Sequence, residues 1–362
     1  MNIGIDARLI GETGIGRYIR NLIAELARID ELNTYVVFLT REGFDSYTPP
    51  NSRWKKRMCD VHWHTLKEQL VTPSIFLSEH LDCLHVPYFN APIFYPKPYI
   101  ITIHDLTILH VTTGKATTLP RPLYVLRKIG YQIIVRLGVK RAKHVIAVSE
   151  STKDDIVKSL GTDPKKISVT YEGVDKKIMS PNAISPNKKP YFLYVGNAYP
   201  HKNLEFLIKS FGTFIIRHPN YQLVLVGKND FFYTRLKKWI LQFPWASQII
   251  FVESASDEQL AAYYTHATAF VFPSLMEGFG LPALEAIGFG VPVVVSDIPV
   301  FHELFSSIPL YFNPESEESL VTALETVTAG KKKQMNDLEK KLISKYQWEN
   351  TAKETLRVYT SL

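Results

Sequence analysis

The sequence predicts an α/β protein of two doubly wound domains, each a parallel sheet covered by helices. Three observations carry this. Apolar strand-like runs alternate with amphipathic helical runs along both halves of the chain. The 362 residues are roughly twice what one average domain needs. Near the middle, Pro181 to Pro190 (PNAISPNKKP) is polar, proline-rich and poor in apolar side chains, as a linker is.

In the first half, Asn2–Ile5, Tyr35–Leu39, Cys83–Val86, Tyr99–Ile103 and His144–Val148 read as strands. Ile15–Arg28 and Leu123–Lys140 read as helices, and Ser149 reads as the N-cap of another that ends at Leu160. In the second half the strands are Tyr191–Val195, Gln222–Val226, Ile249–Val252, Ala269–Phe272 and Pro292–Val295. Helices at Asn203–His218, Asp257–Thr265 and Leu281–Phe289 separate them. The expected domains are 1–182 and 183–345, with a terminal helix over 346–362 that packs back towards the first. Two such domains imply a central cleft between strand C-terminal ends, where these folds bind ligands.

Apolar residues make up 46% of the chain and charged residues 21%, which excludes disorder and coiled coil as the main architecture. Cys59 and Cys83 are too few for a disulfide framework, so a reduced, cytoplasmic chain is expected. Asp6 and Arg8 interrupt any secretory apolar stretch at the start. The charge-poor run Leu260–Met276 is broken by Thr, His, Ser and Pro, so no membrane span is expected.

The net charge of +7 is lopsided. Residues 1–180 hold 25 Lys+Arg against 18 Asp+Glu, whereas residues 181–362 hold 17 of each. Leu106 to Ser149 carries Lys115, Arg121, Arg127, Lys128, Arg136, Lys140, Arg141 and Lys143 and no acidic residue. Basic residues interleaved with Leu and Tyr suit an anionic lipid surface or a nucleic acid, and equally a solvated face. No RNP, zinc-finger or helix-turn-helix pattern accompanies the charge, so nucleic acid is not an expected partner.

Two glycine-bearing segments could hold phosphates. Gly14-Ile15-Gly16 follows the first strand and opens a helix, where amides and the dipole favour anions. It lacks the full G-x-G-x-x-G spacing, because Ile19 stands at the third position after Gly16. The second segment is Glu277-Gly-Phe-Gly-Leu-Pro-Ala-Leu-Glu285, with Pro282 in the first turn of a helix that starts near Leu281. Its loop amides suit a diphosphate and Glu285 a ribose diol, while Glu277 faces whatever lies beyond the phosphates. The flanking runs are apolar, and carboxylates buried beside them need ligands or partners. No two aspartates are separated by a single intervening residue, so a D-x-D metal clamp is missing and no metal is expected. His62 and His64 share an expected strand face without a third ligand.

These residues resemble the retaining glycosyltransferases of family 4, whose fold is GT-B, nearly end to end. Glu277–Glu285 fits that family's E-x7-E motif with the G-F-G-L-P-x-L-E wording. Gly196-Asn-Ala-Tyr-Pro-His-Lys202-Asn resembles its donor-phosphate turn, and Thr102-Ile-His104-Asp105 its His-Asp segment. Val148-Ser149-Glu-Ser-Thr-Lys, Glu172-Gly-Val-Asp175 and Trp348-Glu349 resemble further family segments. Within the family the wording is nearest to mannosyltransferases of bacterial surface-polysaccharide assembly.

The resemblance implies a metal-independent, retaining hexosyltransferase, its donor a nucleoside-diphosphate sugar such as GDP-mannose and its acceptor a glycan or lipid-linked hydroxyl. Glu277, His104 and Lys202 are implied as catalytic. Gly16, Asn197, Gly278, Phe279, Gly280, Leu281 and Glu285 are implied, with Lys202, as donor-binding. Arg17 and Asp105 are implied on the acceptor side, with Asp105 orienting His104 or capping the next turn. Asn197 stands where many members carry a phosphate-binding Arg, so His201 or Arg17 is expected to compensate. The basic segment implies peripheral contact with the inner face of a membrane. The alternatives are a non-catalytic nucleotide-sugar-binding subunit, an NDP-sugar epimerase and a sugar-phosphate synthase on the same fold.

Overall fold

The computed structural model describes residues 1–110, 121–174, 185–330 and 335–361. Lys115, Asp175 and the first part of the proline-rich linker lie outside the described residues, as do the side chains of 121–124. The chain forms two compact units. The first comprises Met1–His110, the described part of Thr117–Gly173 and the C-terminal segment from Gln347. The second comprises the described part of Val174–Tyr346. The division thus falls at Gly173–Val174 and not at 182.

In the first unit the strands are β1 (Asn2–Asp6), β2 (Thr34–Leu39), β3 (Trp54–Met58), β4 (Cys83–Val86), β5 (Tyr99–Ile103), β6 (His144–Ala147) and β7 (Ile167–Val169). They form one parallel sheet in the order β3-β2-β1-β4-β5-β6-β7. Strand β5 is buried at all five positions, as a parallel strand covered on both faces must be. Strand β3 (WKKRM) escaped the sequence reading because it is a charged edge, protected from further pairing by Lys55, Lys56 and Arg57. The helices are α1 (Gly14–Ile29), α2 (Arg41–Ser46), α3 (Leu66–Leu77), α4 (Thr107–His110), α5 (Arg121–Arg141) and α6 (Glu150–Leu160). Ser149 accepts from Thr152 N–H as the N-cap of α6, where the sequence places it.

The second unit repeats the plan with β8 (Tyr191–Val195), β9 (Gln222–Val226), β10 (Ile249–Val252), β11 (Ala269–Phe272), β12 (Val293–Ser296) and β13 (Leu310–Phe312). Their order is β10-β9-β8-β11-β12-β13, again all parallel. Around them lie α7 (Leu204–Arg217), α8 (Phe231–Ile240), α9 (Asp257–His266), α10 (Leu281–Gly288), α11 (Pro299–Phe305), α12 (Glu317–Ala329) and α13 (Asp337–Lys345). In each sheet the chain reverses its winding beside the first strand, between β1 and β4 and between β8 and β11. Such switch points are where doubly wound sheets open a crevice.

The terminal helix α14 (Trp348–Thr360) belongs to the first unit. Trp348 packs edge-on to Tyr18 of α1 at 5.9 Å, and Thr351 donates to the Tyr171 carbonyl at 2.7 Å. Tyr359 Oη lies 2.6 Å from His85 Nδ1 inside the sheet layer. Burial holds His85 down to about 3, so the ring is neutral there between two hydroxyls, those of Tyr359 and Thr102.

Helix α5 packs only part of its apolar set on the sheet. Val135 and Val139 join the core, while Leu126 (67% exposed), Ile129, Ile133 and Leu137 face solvent. Those four recur at i, i+3, i+7 and i+11, one helical stripe.

Candidate active site

In the second unit, β8 ends at Val195, Gly196 follows it, and a short turn, Pro200–Lys202, leads into α7. The neighbouring strand β11 ends in the loop that carries Ser274 and Glu277. Leu275 N–H donates to the His201 carbonyl at 2.8 Å, which ties the two loops together. Lys202 Nζ consequently lies 2.6 Å from Glu277 Oε1, and Ser274 Oγ donates to the same oxygen at 2.7 Å. Both side chains of the ion pair are close to buried, at 14% and 10% exposure. A lysine and a carboxylate paired across two nearly buried loops can separate onto a ligand that carries both phosphate and hydroxyl groups.

Gly280 then starts α10 with φ +102°, a left-handed conformation that a side chain would strain, and a Cβ there would meet Phe301 at 2.9 Å. With Pro282 in the first turn, the helix presents its first amides at Leu281. Glu285 is inside the helix and buried at 3% exposure, and Tyr264 donates to its Oε2 at 3.0 Å. The Phe279 ring is buried edge-on against Tyr346, so this residue offers the loop its main chain.

In the first unit, His104 follows β5. Its Nδ1 is 2.9 Å from Glu172 Oε1, its Nε2 is 3.2 Å from the Pro87 carbonyl, and Tyr18 meets it edge-on at 4.8 Å. Asp105 does not orient it. That carboxylate accepts from Thr107 N–H at 2.8 Å and caps the turn into α4. Gly16 lies in the first turn of α1 against the Leu9 and Ile10 carbonyls, which a Cβ would approach to 2.9 and 2.6 Å. Packing alone therefore requires glycine there. Arg17 is half-buried beside it.

Two family models match the chain. Glycosyltransferase Family 4 covers residues 13–177, and Glycosyl transferases group 1 covers 175–344. The chain is a glycosyltransferase, with a family 4 domain followed by a group 1 domain. It is 29% identical over 340 residues to the O-antigen chain mannosyltransferase RfbU of Salmonella typhimurium, covering 89% of this chain and 90% of that one. It is 30% identical over 183 residues to the GDP-mannose:cellobiosyl-diphosphopolyprenol alpha-mannosyltransferase of Xanthomonas oryzae, covering 50% and 47%. The sucrose-phosphate synthase of Thermosynechococcus elongatus superposes over 100% of this chain and 98% of its own, with TM-score 0.80 at 18% identity. That agreement gives the fold, which is GT-B.

The glycosyltransferase thus brings Lys202 and Glu277 together in one unit, and His104 with Glu172 and Tyr18 in the other. Asn197 turns inward on its own loop, with Oδ1 accepting from Tyr199 N–H at 3.3 Å. Among the described residues no three His, Cys, Asp or Glu side chains gather as metal ligands could. His62 and His64 lie on a loop, not on a strand face, and His64 is in the left-handed region at φ 63°. Sequence reasoning missed Ser274, Tyr264, Tyr18 and the role of Glu172. The last was visible only as part of Glu172-Gly-Val-Asp175, with nothing to show that it would reach a histidine 68 residues earlier.

Proposed function

We propose that this glycosyltransferase moves mannose from GDP-mannose to a hydroxyl of a glycan or lipid-linked acceptor in surface-polysaccharide assembly, with retention at the anomeric carbon. The observation that carries the reading is the Lys202–Glu277 contact at 2.6 Å, set in the loop that opens α10. Lys202 and the amides of Gly280 and Leu281 hold the diphosphate, with main chain from Gly278 and Phe279. Glu277 takes the sugar hydroxyls. Glu285, one oxygen held by Tyr264, takes the ribose diol. Gly16 and Arg17 serve the loop that meets the donor and acceptor, and His104 positions the sugar by exchanging its longer partner, the Pro87 carbonyl, for a hydroxyl.

In the transfer step the acceptor oxygen attacks the anomeric carbon on the face that the diphosphate leaves. The bond from that carbon to the phosphate oxygen breaks, its electron pair goes to the diphosphate, and the departing oxygen takes the acceptor proton. Lys202 and the helix dipole offset the growing negative charge without a metal. The mannose donor is supported by the names of the Salmonella and Xanthomonas relatives.

The same reading puts the acceptor beside a bilayer. No described helix is long and apolar enough to cross a membrane. Helix α5, however, sets the exposed Leu126, Ile129, Ile133 and Leu137 among Arg127, Lys128, Arg136 and Lys140. An apolar stripe flanked by cations suits the headgroup region of an anionic membrane. Peripheral binding at the cytoplasmic face follows.

The test is thermal unfolding across GDP-, UDP- and ADP-hexoses, because a ligand of the native state raises stability by RT ln(1+[L]/Kd). GDP-mannose should give the largest shift, in buffer containing excess EDTA. A larger shift with a UDP-sugar overturns the donor, and a shift that requires added Mn²⁺ overturns the metal-free step.

A further inference from the structure

The turn that leads from β8 into α7 is held by two tyrosine hydroxyls that the transfer step above leaves without a role. Tyr194 stands in β8 and Tyr233 in α8, and both are fully buried. Tyr194 Oη donates to the Asn197 carbonyl at 2.7 Å, and Tyr233 Oη donates to the Gly196 carbonyl at 2.8 Å. Burial pushes both phenols well above their ordinary range, so each hydroxyl keeps its proton and remains a donor. Two side chains from different elements thus fix two consecutive carbonyls of one turn.

Fixing a carbonyl also aims the amide bonded to it. A trans peptide is planar, with its C=O and N–H pointing opposite ways. The Gly196 carbonyl leans towards β9, since a Cβ on Gly227, just past that strand, would meet its oxygen at 2.1 Å. The N–H of Asn197 therefore points away from β9. Strand β8 lies between β9 and β11, so this is the side of the loop that carries Ser274 and Glu277. By the same rule the Asn197 carbonyl, drawn in to the buried Tyr194 hydroxyl, turns the N–H of Ala198 outward. Neither amide donates to a protein group among the described residues. The Asn197 side chain is occupied within the turn, its Oδ1 accepting from Tyr199 N–H at 3.3 Å. The turn thus offers two successive N–H groups a few residues before Lys202, an arrangement that suits an anion.

We infer that Tyr194 and Tyr233 are positioning residues for the donor: their hydroxyls aim the N–H groups of Asn197 and Ala198 at the diphosphate, in place of the cation that Asn197 does not supply. The inference rests on the reading of this loop as the diphosphate site. It deepens that reading by giving part of the charge stabilisation to main chain held by two phenols.

The Gly-Asn dipeptide occurs once in the sequence, so the full chain labelled with carbonyl-¹³C glycine and ¹⁵N asparagine gives one selected amide signal, that of Asn197. GDP, UDP and ADP are titrated into wild type, Tyr194→Phe and Tyr233→Phe, with guanosine, uridine and adenosine as phosphate-free controls. Calorimetry gives Kd for the diphosphates and ligand-observed NMR for the nucleosides. In wild type a bound diphosphate should move the Asn197 proton downfield, whereas its nucleoside should leave it near the free position. Each variant keeps the ring and loses the hydroxyl, so it should bind the diphosphate about ten-fold more weakly and the nucleoside as wild type does. A wild-type Asn197 signal indifferent to a bound diphosphate overturns the inference without any variant having to fold. So does a diphosphate Kd unchanged in both folded variants, or a loss that falls equally on diphosphate and nucleoside, which is what disturbed packing alone would give. In these three cases the donor reading stands. A wild type that binds none of the three diphosphates removes the donor reading and the inference together.

Discussion

The two units share one architecture and differ in how they assemble their polar groups. The second unit builds its site from neighbours along the chain: Glu277, Gly280, Leu281 and Glu285 span nine positions, with Lys202 arriving from one adjacent loop. The first unit gathers Asp6, Arg8, Trp63, Glu68, Tyr88, Asn90, His104 and Glu172 from separate segments: the end of β1, the loop after β3, α3, and the ends of β4, β5 and β7. A group that is bound the same way every time, such as a diphosphate, is met by a compact motif of loop and helix N-terminus. The charge follows the same division, with the +7 excess confined to the first half.

The largest expected effect sharpens the second-unit side of this comparison. Glu277→Ala and Lys202→Ala should each lower transfer roughly 10²–10³-fold, the usual cost of one lost electrostatic contact to developing charge. Radiolabelled sugar transfer into product reads this, with circular dichroism to check the fold. Either variant at near wild-type rate removes that loop from the active site. Glu285→Ala should act chiefly on the donor KM, since a ribose contact changes little between ground and transition states.

The difference between the units also explains what the sequence could show. Central strands such as Tyr99–Ile103 were legible because burial on both faces demands continuous apolar runs, and the α10 start because Gly280 and Pro282 are local signals. Strand β3 was not, since an edge strand tolerates Lys55, Lys56 and Arg57. The Glu277–Glu285 loop was legible as a unit. The Glu172–His104 pair and the Arg8 cluster were not, because their partners are 68 and 60 residues apart and only folding juxtaposes them. The exposed stripe of helix α5 was not legible either, because periodicity reports an apolar stripe and not what covers it.

A second prediction uses acid to separate the units. The buried rings of His85 and His64 are held down to about 3 and about 4, in both cases mainly by burial. Each is neutral when folded and takes a proton when unfolded below pH 6.5. Their contribution is therefore intact above pH 6.5 and lost as pH falls from there towards 3. Between pH 7.5 and 5.5 each should cost the first unit about 1 kcal/mol. Hydrogen exchange read peptide by peptide should show protection falling in β1, β4 and β5 ahead of β8, β9 and β11. His85→Gln keeps hydrogen bonding to Tyr359 and Thr102 without titrating, and should flatten part of that loss. Equal loss in both sheets would show that the buried histidines do not set the difference.

The smallest effect per residue concerns the exposed face of α5, where the first unit's charge meets its uncovered apolar stripe. A cation near an anionic surface contributes about 1 kcal/mol, or roughly five-fold in affinity. Replacing Arg127, Lys128, Arg136 and Lys140 with Gln should thus weaken sedimentation with phosphatidylglycerol vesicles in four steps of similar size. Screening at high salt removes the electrostatic share but leaves apolar contact intact. With Leu126 and Ile133 open to solvent, a fraction of wild type should stay on the vesicles at 1 M salt, and Leu126→Ser with Ile133→Ser should release it. Complete release of wild type by salt would mean that the stripe never enters the bilayer. No binding even at low salt would make α5 a solvated face and favour an acceptor free in solution.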